Sequence, residues 1–444
     1  MGKNSNQNVG RFCEPAHRLT RSRFAITRAA SSTSGRAKNQ IPISKSEFLP
    51  VTSAVSQKRT PNSSALPRRR SLTVIIKPTN DCNLACKYCY VDPAADKGMM
   101  TEETLFRAMT QVAEVSNGRR VHFIWHGGEP LLCGLAFFQS ANAITKKLRQ
   151  KGYSISNSIQ TNGTLVTDEL LDFIEKQKDF QLGFSLDGPK AINDQTRVFQ
   201  GGRGSFDDVF SSIKKTRARA TEHDAPNVGG GVIVVVSQLN ISRLSEVYQF
   251  FRSEKIGIGL NPVIISGKAA KSLWISPLDF ANSMNSLFDS WIDDQETIDL
   301  DPFSTMMGNL LTNCPLGCQH SDSCAGSFVA IGPQGDVYPC GRFEGVPDFH
   351  LGNVNCTGGL EAALNSSCHH KLRLRSASSI SGCATCEFAA ICNGGCMHNA
   401  TTSGDVMGKD PFCISYKLMY SHIKHYLVDQ LGHSKKQHEN SEQN

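Results

Sequence analysis

Between Leu72 and Ile265, short runs of β-branched and apolar residues alternate with segments of helical period, and no other feature limits the fold as much. The strand candidates are Leu72–Lys77, Val121–His126, Ile155–Thr161, Gln181–Leu186, Gly231–Ser237 and Ile258–Ile265. Between them lie helix candidates at Glu102–Val115, Leu135–Arg149, Asp168–Lys176, Phe206–Arg219 and Arg243–Glu254. A parallel neighbour is reached only through a crossover, so strictly alternating strands and helices predict a parallel sheet. Six such units with polar motifs at the strand ends predict an open, partial (β/α)6 TIM-like barrel. Further helices are expected at Leu278–Asp293 and Ile414–Leu431.

Cysteine placement comes next. Fourteen of the 16 cysteines fall in two stretches, 82–89 and 314–413. Their close spacing in a long chain suits metal ligation better than a disulfide framework. No apolar h-region opens the chain, which predicts a reducing cytoplasm. No apolar run approaches the ~18–20 residues of a membrane span. Residues 1–70 hold 14 Lys or Arg and only two acids, Glu14 and Glu47, a balance of +12 in a chain whose total is +7. The remainder is therefore acidic, which disfavours nucleic-acid binding. Residues 1–66 show no apolar period and predict a disordered basic extension.

The first strand runs into Cys82-x3-Cys86-x2-Cys89 followed by Tyr90. Three cysteines on one loop can hold three irons of a cubane and leave the fourth open. A zinc site takes four ligands, and no fourth Cys or His lies nearby in sequence. The second strand ends in His126-Gly127-Gly128-Glu129-Pro130. Together the two motifs resemble the radical S-adenosylmethionine (radical SAM) superfamily. That resemblance implies a [4Fe–4S] cluster on Cys82, Cys86 and Cys89, the catalytic ligands, with S-adenosylmethionine on the open iron. It also implies that Tyr90, Gly127, Gly128, Glu129 and Pro130 line the cofactor site, with the Gly-Gly-Glu-Pro segment at the amino group. The blocks Gln160–Thr164 and Gly183–Pro189 resemble the anaerobic sulfatase maturases, which implies cofactor contacts from Ser185 and Arg197. His126 stands on the cofactor side where those enzymes carry Gln.

A second set reads Cys324-x10-Gly335-x4-Cys340, then Cys383-x2-Cys386-x5-Cys392-x3-Cys396-x16-Cys413, with Cys318 shortly before. This order resembles the SPASM domain. The resemblance implies two auxiliary [4Fe–4S] clusters, hence three in all. Cys318, Cys324, Cys340 and Cys396 would hold the first, and Cys383, Cys386, Cys392 and Cys413 the second. Cys314 could compete as a ligand. Cys133, Cys356 and Cys368 are expected to pack as small apolar residues, and His369-His370 to be an exposed pair.

The expected layout is a disordered extension over 1–66, a radical SAM barrel over 67–270, a connector over 271–313, a SPASM domain over 314–431 and a disordered tail over 432–444. The resemblance implies an oxidoreductase acting on a peptide or protein, supplied with electrons by a flavodoxin- or ferredoxin-like protein. Sulfatase maturases carry Asp just after the third ligand of the auxiliary set, where it serves as base. Here Gly341 follows Cys340, with Arg342 and Glu344 beyond. This departure favours a maturase of ribosomally made peptides that forms a cyclophane-type carbon–carbon cross-link. Oxidation of Cys or Ser to formylglycine is the alternative. A plain iron–sulfur electron carrier would need neither the open-iron motif nor Gly-Gly-Glu-Pro.

Overall fold

The structure is a computed structural model that describes residues 71–441 apart from 93, 94, 96 and 323, with side chains described to residue 430. The basic extension expected over 1–66 lies outside the described residues. Residues Arg69–Tyr426 form one compact unit.

The strands are β1 Leu72–Ile76, β2 Val121–Trp125, β3 Ile155–Thr161, β4 Phe180–Ser185, β5 Val232–Val236, β6 Ile258–Pro262, β7 Leu300–Asp301, β8 Phe328–Ile331, β9 Asp336–Tyr338 and β10 Gly352–Asn353. All ten form one sheet in the order β10-β9-β8-β1-β2-β3-β4-β5-β6-β7. Neighbours from β8 through β7 are parallel, whereas β8-β9 and β9-β10 are antiparallel. The six expected strands are its centre. In β1, β2, β3 and β5 alternate residues are buried, as one face packs under the crossover helices. β6 stops at Pro262, short of the expected Ile265, where proline offers no N–H to the ladder.

The crossover helices are α1 Glu102–Val115, α2 Gly134–Gln150, α3 Asp168–Lys176, α4 Phe206–Glu222 and α5 Leu244–Ser253. Local chemistry starts them. Thr101 caps α1 by accepting from the Thr104 N–H at 3.1 Å, and Glu102 and Glu103 complement the positive end of its dipole. Thr167 caps α3 in the same way. α6 Pro277–Ile292 has Ser276 as cap and proline in its first turn, and α7 Phe303–Thr312 follows.

The cysteine-rich part continues the sheet of the barrel. Its strand β8 pairs in parallel with β1, Thr73 facing Phe328 and Ile76 facing Ile331. Its small core, built on Ala325, Ala330, Tyr338, Phe343, Leu372 and Met397, takes in Ile75 of β1. Gln111 of α1 accepts from the Leu360 N–H and donates to the Val354 carbonyl. The last helix, α8, runs Cys413–Ser441. The tail expected as disordered from 432 is therefore helical backbone to Ser441; Lys, Gln and Glu in that stretch are adequate helix formers.

Candidate active site and auxiliary cysteine centres

The loop Lys77–Tyr90 leaves β1 at the carboxyl end of the sheet and is gripped by four neighbouring segments. The turn after β2 holds its first part. The Gly128 N–H donates to the Thr79 carbonyl at 3.0 Å and the Glu129 N–H to the Asp81 carbonyl at 2.8 Å. A Cβ on Gly127 would stand 2.4 Å from the Thr79 oxygen, and one on Gly128 2.0 Å from that of Asp81. Only glycine permits this approach, which answers why two glycines occur in sequence here. After β3, Asn162 donates to Asn83 at 2.9 Å, and Asn83 donates to Thr164 at 2.8 Å. The middle of the loop pairs with 196–198: the Ala85 N–H donates to the Val198 carbonyl and the Lys87 N–H to that of Thr196. After β6, the Lys268 N–H donates to the Cys89 carbonyl at 2.7 Å.

Cys82, Cys86 and Cys89 are free, half-buried thiols on this loop. Burial pushes the Cys82 thiol up to about 12 and the Cys86 thiol up to about 11, with neighbouring loop thiols acting in the same direction. Thiols this costly to ionise in the bare protein fit ligands whose charge a metal neutralises. Among the described residues no three His, Cys, Asp or Glu side chains gather as a single ion requires. A cubane spreads three thiolates over three irons and does not require them to meet on one ion.

Glu129 is fully buried. Its Oε1 accepts from the Thr161 hydroxyl at 2.7 Å and the Leu131 N–H at 3.0 Å, and its Oε2 accepts from the Asn162 N–H at 2.7 Å. The carboxylate thus ties the end of β2 to the end of β3. These three donors fix the carboxylate between the two strand ends. Glu129→Ala strips three buried donors of their acceptor and is expected to destabilise the fold by about 2–5 kcal/mol. A loss below about 1 kcal/mol in chemical unfolding would contradict this placement.

His126 Nδ1 accepts the Gly127 N–H at 2.7 Å. Burial and the cations Lys77 and Arg197 push its imidazole down to about 4, so at neutral pH it is uncharged with the proton on Nε2. The Tyr90 ring lies near it, tilted by 45° with 6.1 Å between ring centroids. Ser185, at the end of β4, accepts from the Gln160 amide at 3.1 Å. Arg197 is buried and pairs with Asp187, Nε to Oδ1 at 3.2 Å. Asp187 is itself held by the Tyr88 and Thr196 hydroxyls and the Val235 N–H. The Arg197 guanidinium lies 5.4 Å from the centre of the Tyr88 ring on the cysteine loop, and its charge lowers the Cys86 thiol.

Lys77, Arg342 and Glu344 stand where the catalytic loop meets the cysteine-rich part. Lys77 is 2% exposed, pairs with Glu344 at 2.6 Å and lies 5.2 Å from the centre of the Tyr90 ring. Glu344 also accepts from Asn80 at 2.8 Å. Arg342 donates to Asn399 at 2.7 Å, and Tyr90 is among the groups acting on it electrostatically. Sequence reasoning passed over Lys77, although a lysine closing an apolar strand immediately before a cysteine loop was a usable signal.

The auxiliary cysteines fall into two fours. Cys324 is raised well above its ordinary value by a hydrogen bond with Cys318, by burial, and by Cys340 and Cys396. Burial pushes Cys340 up to about 12, with Cys396 and Cys318 adding to it. Cys383, Cys386, Cys392 and Cys413 instead line one small cavity with Phe388, Lys417 and Tyr420. Cys133 is half-buried, and Cys368 packs on the cysteine-rich core as expected for a small apolar residue, but Cys356 is exposed. His369, expected on the surface, is buried with its ring between the Leu364 and Ala325 carbonyls.

The comparisons agree with this arrangement. The model of the radical SAM superfamily matches residues 76–251, and that of the SPASM iron-sulfur cluster-binding domain matches residues 323–387. The serine-type anaerobic sulfatase-maturating enzyme of Bacteroides thetaiotaomicron is 28% identical over 389 residues, covering 81% of this chain and 91% of that one. The cysteine-type enzyme of Clostridium perfringens is 27% identical over 373 residues, covering 81% and 98%. The solved structure of His-tagged anSMEcpe with bound AdoMet superposes with a TM-score of 0.70 at 25% identity, over 81% of this chain and 94% of that one. Streptococcus suis SuiB bound to the precursor peptide SuiA shares the fold, with a TM-score of 0.56 at 18% identity, over 77% and 75%. No helix among the described residues is long and apolar enough to cross a membrane. The open three-cysteine loop on its glycine cradle and the cysteine-rich strands completing the sheet thus belong to a radical SAM enzyme with a SPASM domain, homologous to the anaerobic sulfatase-maturating enzymes.

Proposed function

We propose that the enzyme removes two hydrogens from a residue of a ribosomally made peptide and joins that side chain to another, with a cyclophane-type carbon–carbon bond as the favoured product. Cys82, Cys86 and Cys89 would hold a [4Fe–4S] cluster with S-adenosylmethionine. Cys318, Cys324, Cys340 and Cys396 would hold one auxiliary cluster, and Cys383, Cys386, Cys392 and Cys413 another. When bound, the first cluster and its cofactor supply a 5′-deoxyadenosyl radical that takes one hydrogen atom; the second hydrogen leaves as a proton while its electron passes to the auxiliary side.

The chain's own residues orient the parts. Gly127 and Gly128 fix the cysteine loop against β2, and Glu129 holds that turn. His126 presents Nε2–H, Ser185 a hydroxyl and Arg197 a charge fixed by Asp187 to the cofactor's polar groups. Pro130 opens the turn behind them. Lys77 and Arg342 place two cations between the catalytic loop and the first auxiliary four, where a peptide carbonyl or carboxylate would be received. A flavodoxin- or ferredoxin-like protein would deliver the initiating electron.

The observation favouring cross-linking is at position 341. A Cβ there would lie 3.1 Å from Ile75 and 3.5 Å from the Lys77 side chain, so the spot is apolar and lysine-lined and carries no carboxylate. A second reading, oxidation of Cys or Ser to formylglycine, is favoured by Glu344, whose carboxylate reaches Lys77 and Asn80 at the same junction. It is also favoured by the sulfatase-maturating relatives. Co-expression with candidate substrates and mass spectrometry separates the two. Cross-linking is expected to give loss of two hydrogens, no reaction with hydrazide and no fragmentation inside the ring. Capture of an aldehyde at a sulfatase Cys or Ser would establish the second reading instead.

A further inference from the structure

Cys392 and Cys396 belong to different fours, yet only Asn393, Gly394 and Gly395 separate them. These three residues take positive φ values of 50°, 79° and 74°, which wraps the turn tightly. Arg375 takes up two of its carbonyls. Its Nη1 donates to the Gly395 carbonyl at 2.9 Å, and its Nη2 donates to those of Gly394 at 3.1 Å and Gly408 at 2.8 Å. Asp410 braces the same turn. Its N–H donates to the Gly394 carbonyl, its Oδ2 accepts from the Cys396 N–H at 2.9 Å, and its carbonyl accepts from the Cys413 N–H.

The guanidinium therefore lies between the two sets of thiols. A Cβ on Gly394 would be 3.5 Å from Arg375 Nη2 and 3.7 Å from Cys383 Sγ, so both flank one backbone atom. Cys396 and Cys324 of the other four are also among the groups acting on Arg375. Its Nε–H is buried without an acceptor among the described residues. A donor in that position suits a sulfur of a bound cluster.

We propose that Arg375 is a positioning residue shared by both auxiliary cluster sites, locking the turn that carries one ligand of each and raising the reduction potentials of both clusters with its charge. A cation and an N–H donor stabilise the more negative, reduced state of a cluster, so their removal lowers the potential. The inference rests on the assignment of the eight cysteines to two clusters.

Iron content and EPR-monitored redox titration of reconstituted full-length protein test it. Wild-type protein holding only the catalytic cluster's iron would sink the cysteine assignment itself, a result distinct from those on Arg375. With auxiliary iron in place, Arg375→Met is expected to move both auxiliary midpoint potentials to more negative values and leave that of the catalytic cluster unmoved. Arg375→Lys, which keeps the charge, should shift them less. Fully loaded Arg375→Met with wild-type potentials would overturn the proposal. Should Arg375→Met fail to hold auxiliary iron, Arg375→Lys decides: retained iron with a partial negative shift supports the proposal, and iron retained without a shift or lost again makes Arg375 purely structural and overturns it.

Discussion

Replacing Cys82, Cys86 and Cys89 together by Ala is expected to abolish 5′-deoxyadenosine formation and to leave about eight of about twelve irons in place. The three thiols share one loop, which is held mainly by backbone hydrogen bonds to its neighbours; of its cysteine side chains, Cys82 Sγ accepts weakly from the Leu84 N–H at 3.4 Å and Asn162 at 3.7 Å. The scaffold should therefore survive their loss. The eight other thiols sit on different elements, from Cys318 to Cys413, so their iron should be retained. Anaerobic reconstitution, iron analysis and detection of 5′-deoxyadenosine read both outcomes. Residual cofactor cleavage in the triple variant, or zinc in place of iron in wild-type protein, would refute the assignment of the catalytic cluster.

The second large effect is expected at Asp187→Ala. Arg197 and Asp187 have side-chain exposures of 8% and 0%, and the carboxylate also receives Tyr88, Thr196 and the Val235 N–H. Removing it leaves a buried guanidinium without its counter-charge, a change that costs about 3–5 kcal/mol in comparable buried pairs. Cofactor affinity should fall as well, since Arg197 would no longer be fixed beside Cys86. Asp187→Asn keeps the shape and part of the hydrogen bonding, so it should recover part of the stability. Chemical unfolding of the two variants gives the answer; a cost below about 1 kcal/mol for Asp187→Ala would show that the pair is not a buried anchor.

The barrel was legible because its signals are local. Alternating burial in β1, β2 and β5 follows directly from Leu72, Val74 and Ile76 and their counterparts, and Thr101 and Thr167 announce helices where helices begin. The glycine pair was also legible, although its reason is not: the 2.0 Å clash facing a Cβ at Gly128 comes from Asp81, on another strand's loop. β8, β9 and β10 were missed because runs of two to four residues carry no period to read. The donors that anchor Glu129, at Thr161 and Asn162, come from a neighbouring strand end that its own segment does not announce. The Lys77–Glu344 pair joins the end of the first strand to the cysteine-rich part, and nothing in the sequence around either announces the other.

Pairing of β8 with β1 also bears on how the molecule is made. Thr73 emerges from the ribosome long before Phe328, and at roughly 5–20 residues per second the interval is about 10–50 s. Through that time one edge of β1 has no partner, and its sequence, Leu-Thr-Val-Ile-Ile, is apolar and strongly β-forming. Nascent chains are thus exposed to strand capture by other chains until the final quarter is translated. A chain cut before β8 would carry that open edge permanently and should aggregate, whether or not its cysteine loop were sound.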